Sequence, residues 1–153
     1  MSEPTVEPMT ELQGHCMCGA VSVAMKPARK SIGVCHCDMC RRWTSSMLMT
    51  IPAASGYAAL GPVKTYVSSD WAERAFCADC GSALWYRITA PGEMHGQTQM
   101  AAGLFDNAGE SSLGLELYID KKPEGYAFTG PQRQMTEAEV MAAFRPSAEG
   151  DNQ

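Results

Sequence analysis

Seven cysteines fall into three clusters, Cys16-x-Cys18, Cys35-x-Cys37-x-x-Cys40 and Cys77-x-x-Cys80. Thiolates gathered at such spacings are soft ligands, and tetrahedral sulfur sites suit zinc. The last cluster reads CADCGS. A C-x-x-C turn aims both sulfurs at one point, and the following Gly81 tolerates the positive φ that such a turn demands. The first pair works by another geometry. On an extended strand, residues i and i+2 point to the same side, so Cys16 and Cys18 are expected to chelate from one face of a strand. Two such pairs make a closed site: Cys16, Cys18, Cys77 and Cys80 around a structural zinc. Such an ion contributes roughly 10–16 kcal/mol of apparent binding energy and cross-links the start of the chain to its middle. An odd number of cysteines cannot form a complete disulfide set, and a reducing compartment disfavours disulfides in any case.

Cys35, Cys37 and Cys40 remain. Three protein ligands with an open fourth position is the arrangement of catalytic zinc. If Cys35 and Cys37 share one face of a strand, His36 points to the other, where packing or a hydrogen bond behind the ligands is its expected role. The competing reading completes the triplet as a second structural zinc with His15, His36 or His95. Arg41 and Arg42 follow directly. They offset the local negative charge or hold an anionic substrate, or else they form a solvated helix end.

The elements that must position these groups are short. A length of 153 residues suggests one domain, and 45% apolar residues suffice for a core at that length. We expect a loose leader over 1–11, a single zinc-binding domain over 12–145 and a frayed tail over 146–153. The segments 20–25, 46–51, 63–67, 83–88, 98–105 and 115–119 read as strands separated by Pro and Gly. In the first of them Val21, Val23 and Met25 share a face. Met47 and Met49 alternate in the second, as core filling rather than copper ligands. A helix is expected over 136–144, with Thr136 and Glu139 as a capping box and Val140 and Phe144 on one face. A second short helix begins near Asp38 and runs through MCRRW. The class is mainly β. A formal net charge of −5, from 17 acidic and 12 basic residues, argues against a general nucleic-acid binder. The chain lacks the long apolar run of a membrane span, and MSEPTVEPMTELQ lacks the cationic start and apolar core of a signal peptide, so the default location is the cytoplasm.

Taken together, HCMCGAVS, CHCDMCRRW and RAFCADCGSALWY resemble the glutathione-dependent formaldehyde-activating enzyme family, which shares its domain with centromere protein V. Three ordered clusters agree in spacing and flanks over roughly residues 12–145, and AAGLFDN and LELYIDKKPEGYAF resemble the family's later strands. The resemblance implies several coiled, folded-over antiparallel β-sheets pinned by zinc, with one short C-terminal helix. It implies the same division: structural zinc on Cys16, Cys18, Cys77 and Cys80, and catalytic zinc on Cys35, Cys37 and Cys40. It also implies a carbon–sulfur lyase or synthase, S-(hydroxymethyl)glutathione synthase-like, that joins glutathione as co-substrate to formaldehyde or a related small aldehyde. A coordinated thiol is deprotonated, and three thiolates weaken zinc as a Lewis acid, so thiol capture is the expected use of the open position. Holding thiol and aldehyde together adds a proximity gain. Arg41, Arg42 or Arg74 would pair with glutathione carboxylates, and Trp43 or Trp71 would wall the pocket or else pack in the core. The chain departs from the family pattern in WTSSM, with Ser45 where Gly is usual, and in lacking a Trp near Gly125 and Tyr126. Expected partners are a small thiol and an aldehyde, without nucleic acid or membrane; a homodimer is allowed. The rival readings are a non-catalytic zinc-binding module, which a basic extension would favour, and a redox sensor whose triplet releases zinc on oxidation.

Overall fold

The computed structural model describes residues 9–144. Most of the expected leader (1–8), the last residue of the expected domain and the whole expected tail lie outside the described residues. Strands β1 (Leu12–His15), β2 (Ser22–Met25) and β5 (Ala58–Leu60) form a small antiparallel sheet in the order β1-β2-β5. The larger sheet contains β3 (Ser31–Cys35), β4 (Leu48–Pro52), β6 (Val63–Val67), β7 (Ala72–Cys77), β8 (Ala83–Ile88), β9 (Thr98–Ala101), β10 (Ser112–Leu117) and β11 (Arg133–Met135). Its order is β11-β10-β3-β4-β9-β8-β7-β6. Helices α1 (Asp38–Thr44) and α2 (Glu137–Phe144) and three short 3-10 helices, Ala102–Leu104, Asp106–Glu110 and Ile119–Lys121, complete the regular structure of the described residues. The mainly β class and the short C-terminal helix stand as read from the sequence. One edge of the large sheet differs from the antiparallel expectation: β10 pairs parallel with both β3 and β11. No helix among the described residues is long and apolar enough to cross a membrane.

Alternation explains the core. Val21, Val23 and Met25 are all buried, as the period-2 pattern of 20–25 requires, and they meet Ile51, Leu84, Trp85, Met100, Leu104 and Phe105 from the large sheet and the turns beyond β9. Met49 packs against the same cluster. Cys16 and Cys77 belong to it too, so the first and last cysteine clusters sit where the two sheets meet.

The helices follow their caps. Thr136 Oγ1 accepts from the Glu139 amide at 3.3 Å, which starts α2 as the capping box predicts. Val140 is buried there, but Phe144, expected on the same face, is exposed. Helix α1 begins at Asp38, yet its N-cap is Cys37, whose sulfur accepts from the Cys40 amide at 3.4 Å. It ends at Ser45, whose φ of 74° lies in the left-handed region that favours glycine.

Candidate metal centre

Two groups of sulfurs converge. Cys16, Cys18, Cys77 and Cys80 form one and Cys35, Cys37 and Cys40 the other, with all ligand atoms of a group within 4.8 Å of one another. All seven cysteines are free.

The first group closes between two turns. Cys16 and Cys18 lie in a turn after β1, not on a strand as their spacing suggested. The Gly19 amide donates to the Cys16 carbonyl at 3.1 Å, and Gly19 takes a φ of 79°. This turn brings the two sulfurs to 3.6 Å without extended backbone. Cys77 ends β7 and Cys80 lies in the hairpin to β8. There the Gly81 amide donates to the Cys77 carbonyl at 2.8 Å, with a Gly81 φ of 77°, the glycine turn read from CADCGS. The Met17 amide donates to Ser82 Oγ at 3.0 Å and ties one turn to the other.

The distances fit an ion. Zn–S bonds of about 2.3 Å in a tetrahedron place sulfurs about 3.8 Å apart. The Cys16–Cys18 and Cys18–Cys77 separations are 3.6 and 3.9 Å. Disulfide sulfurs would stand about 2 Å apart. At Cys16 and Cys80 the surroundings favour thiolate: the Val21 amide lies 3.2 Å from Cys16 Sγ, and a hydrogen bond with the Ser82 hydroxyl, then one from the Ser82 amide, lowers the Cys80 thiol to about 5.

The triplet is built where β3 passes into α1. Cys35 closes β3, Cys37 caps the helix and Cys40 lies in its first turn. A helix cap rather than a strand therefore brings Cys37 beside Cys35. Hydrogen bonds from Cys35 and then Cys40 hold the Cys37 thiol down to about 2, whereas Cys35 is pushed up, first by its bond to Cys37. Among the described residues no His, Asp or Glu joins the three sulfurs as a fourth donor. His15 bonds the Cys16 carbonyl at 2.8 Å, and His95 bonds the Thr89 carbonyl at 3.0 Å.

His36 turns away from the sulfurs, as expected. It is fully buried and donates from Nε2 to Glu116 Oε1 at 2.9 Å. Glu116 also accepts from Gln132 and Gln134, both at 3.0 Å. Burial raises the Glu116 carboxyl, but the bonds from Gln132, Gln134 and His36 outweigh it and hold the group below its usual value. The His36 amide donates to the Leu117 carbonyl at 3.0 Å, and Leu117 pairs with Cys35. A buried polar network thus fixes the backbone between two of the three cysteines.

The three arginines part company. Arg41 pairs with Asp38 at 3.4 Å, and Arg42 is exposed. Arg74, on β7, is 4% exposed and donates from Nη1 to Cys40 Sγ at 3.5 Å. Its guanidinium lies 5.1 Å from the Trp43 ring centre and 5.3 Å from that of Tyr86. Trp71 is partly exposed. Tyr118, with a left-handed φ of 57°, follows β10; burial and then the charges of Cys35 and Cys37 push its phenol up to about 12. Glu116, Gln132, Gln134, Tyr86 and Tyr118 were not singled out from the sequence. The signal available for Glu116 was a lone carboxylate between Leu115 and Leu117.

A family model described as glutathione-dependent formaldehyde-activating enzyme matches residues 11–121, a span that contains all three cysteine clusters. The chain is also similar to an uncharacterized lyase of Schizosaccharomyces pombe, at 31% identity over 143 residues, which cover 89% of this chain and 98% of that relative. The chain belongs to the glutathione-dependent formaldehyde-activating enzyme family.

Proposed function

We propose that the chain is a zinc-dependent carbon–sulfur lyase of the cytoplasm. Its reaction, S-(hydroxymethyl)glutathione synthase-like, joins the thiol of glutathione to formaldehyde or a related small aldehyde. Two zinc ions are held per chain, a structural one by Cys16, Cys18, Cys77 and Cys80 and a catalytic one by Cys35, Cys37 and Cys40. The observation that carries the reading is three facing sulfurs with no fourth protein donor among the described residues, in a chain of this family. The name of its yeast relative, a lyase, agrees with the reaction class.

When bound at the triplet, zinc supplies a thiol as thiolate at neutral pH. The chain's own residues do the rest. In the reaction the thiol sulfur bonds to the aldehyde carbon, the carbonyl π bond opens, and the proton lost by sulfur ends on the aldehyde oxygen. His36 and Glu116 hold the backbone of Cys35 and Cys37 from behind. Arg41 and Arg42 lie on the solvent side of α1, within its last turn, and meet the carboxylates of glutathione. Arg74 serves the sulfur cluster instead. Exchange NMR on glutathione and formaldehyde tests the reading: zinc-loaded wild type should speed exchange over both Cys37→Ser and buffer. Equal exchange in all three samples would remove this substrate pair.

A further inference from the structure

We infer that Arg74 is a positioning residue for the metal of the triplet: it cancels the site's residual charge and fixes Cys40, and so sets how tightly that ion is held. The inference rests on the proposed metal at Cys35, Cys37 and Cys40. Three thiolates around a divalent cation leave one net negative charge. Cys40 is buried, so water cannot screen that charge at its sulfur. Arg74 is also buried and faces it, with Nη1 3.5 Å from Sγ. A guanidinium is a delocalised, always-charged cation whose weak hydration makes burial tolerable.

The placement is over-determined. Trp43 comes from the same helix as Cys40, and Tyr86 pairs with Arg74 across β7 and β8, so the guanidinium is held near two aromatic rings from two elements. Its Nε is buried with no hydrogen-bond partner among the described residues. Leaving a buried donor unmatched costs free energy, and the geometry retains that cost to keep Nη1 on the sulfur. A substrate-binding arginine would be expected to reach solvent; Arg74 does not. Among the described residues no arginine or lysine hydrogen-bonds a sulfur of the four-cysteine site. Its sulfurs are served by the Val21 amide and by Ser82. The two sites should therefore respond differently to loss of this one charge.

The test is zinc release from the full chain loaded with two equivalents, followed with a colorimetric chelator. Cys37→Ser assigns the phase that belongs to the triplet. Arg74→Gln should weaken zinc at the triplet by about 10–100-fold, the usual effect of losing a group that supports a metal ligand. The four-cysteine phase should stay unchanged, and Arg74→Lys should recover part of the loss. In the wild type, the guanidinium 15N and 1H signals of Arg74 should shift with the second equivalent of zinc only, a readout that requires no variant to fold. Unchanged release from the triplet, equal weakening of both sites, or guanidinium signals indifferent to the second equivalent would each overturn the inference. A wild type that binds a single equivalent would instead remove the metal reading of the triplet, and this inference with it.

Discussion

Glu116→Ala probes the buried network behind the triplet. In the wild type this carboxylate accepts from His36 at 2.9 Å and from Gln132 and Gln134 at 3.0 Å. The three donors differ in what replaces it. Gln134 is exposed and Gln132 half-buried, so water can take over much of their share. His36 has no exposure at all, and its Nε2–H would face a void. An orphaned buried donor costs about 1–3 kcal/mol, and the two lost amide–carboxylate bonds add roughly another 1 kcal/mol after water recovers most of their strength. The sum is about 3 kcal/mol. A domain of this size loses about 2–4 °C of melting temperature per kcal/mol, so the variant should melt roughly 6–12 °C lower.

The pH dependence follows from the same bonds. The folded Glu116 carboxyl sits below its usual value of 4.5, so its stabilisation is fully present above that pH. It disappears as pH falls through the lower folded value. The gap between wild type and Glu116→Ala should therefore be constant near neutrality and narrow in acid. Thermal melts of the zinc-loaded proteins from about pH 3 to pH 8 measure both features. Equal melting temperatures at neutral pH, or a gap that widens in acid, would refute the reasoning.

Ser45→Gly should stabilise the protein by about 1 kcal/mol, seen as a melting temperature roughly 2–4 °C higher, because it relieves a left-handed residue at the end of α1. Gly61→Ala should do the reverse and strongly. The new Cβ would lie 2.1 Å from the Ala20 carbonyl oxygen at a φ of 114°, and backbone strain alone costs about 1–3 kcal/mol. Ala20 adjoins the Cys16–Cys18 turn, so chelator release from the four-cysteine site should also quicken in that variant.

Much of the candidate metal centre was legible in the sequence because the spacing within each cysteine cluster is local information. The C-x-C and C-x-x-C pairs, the glycine turn after Cys80 and the place of His36 behind the ligands follow from residues within a few positions of each other, whereas joining Cys18 to Cys77, 59 positions away, rests on counting ligands. The local geometry was less secure: Cys16 and Cys18 converge through a turn, and Cys37 through a helix cap, although i and i+2 on a strand would also bring sulfurs together. Among the strands, the apolar alternation of 20–25 reads directly. Leu12–His15 and Ala72–Cys77 do not, since LQGH is short and polar and AERAFC carries Glu73 and Arg74.

The sequence offers Arg74 only as a partner for substrate and does not single out Glu116, for one reason. Each is a charged residue buried by partners distant in sequence: Cys40 lies 34 positions from Arg74, and His36 lies 80 from Glu116. Composition places charges at the surface, and only the assembled sheet shows which of them are matched inside. The parallel pairing of β10 with β3 is equally non-local, yet it is what brings Glu116 and the Leu117 carbonyl to His36. On β10 the face is even inverted, since Glu116 is buried while Leu115 and Leu117 are only half-buried.

The central claim is that the seven cysteines hold two metals in separate sites, one complete and one lacking a fourth protein ligand. Native mass spectrometry of the zinc-loaded chain counts them. Wild type should carry two zinc ions, and Cys37→Ser should carry one while remaining folded. A wild type that carries one ion, or a Cys37→Ser variant that still carries two, would contradict the account.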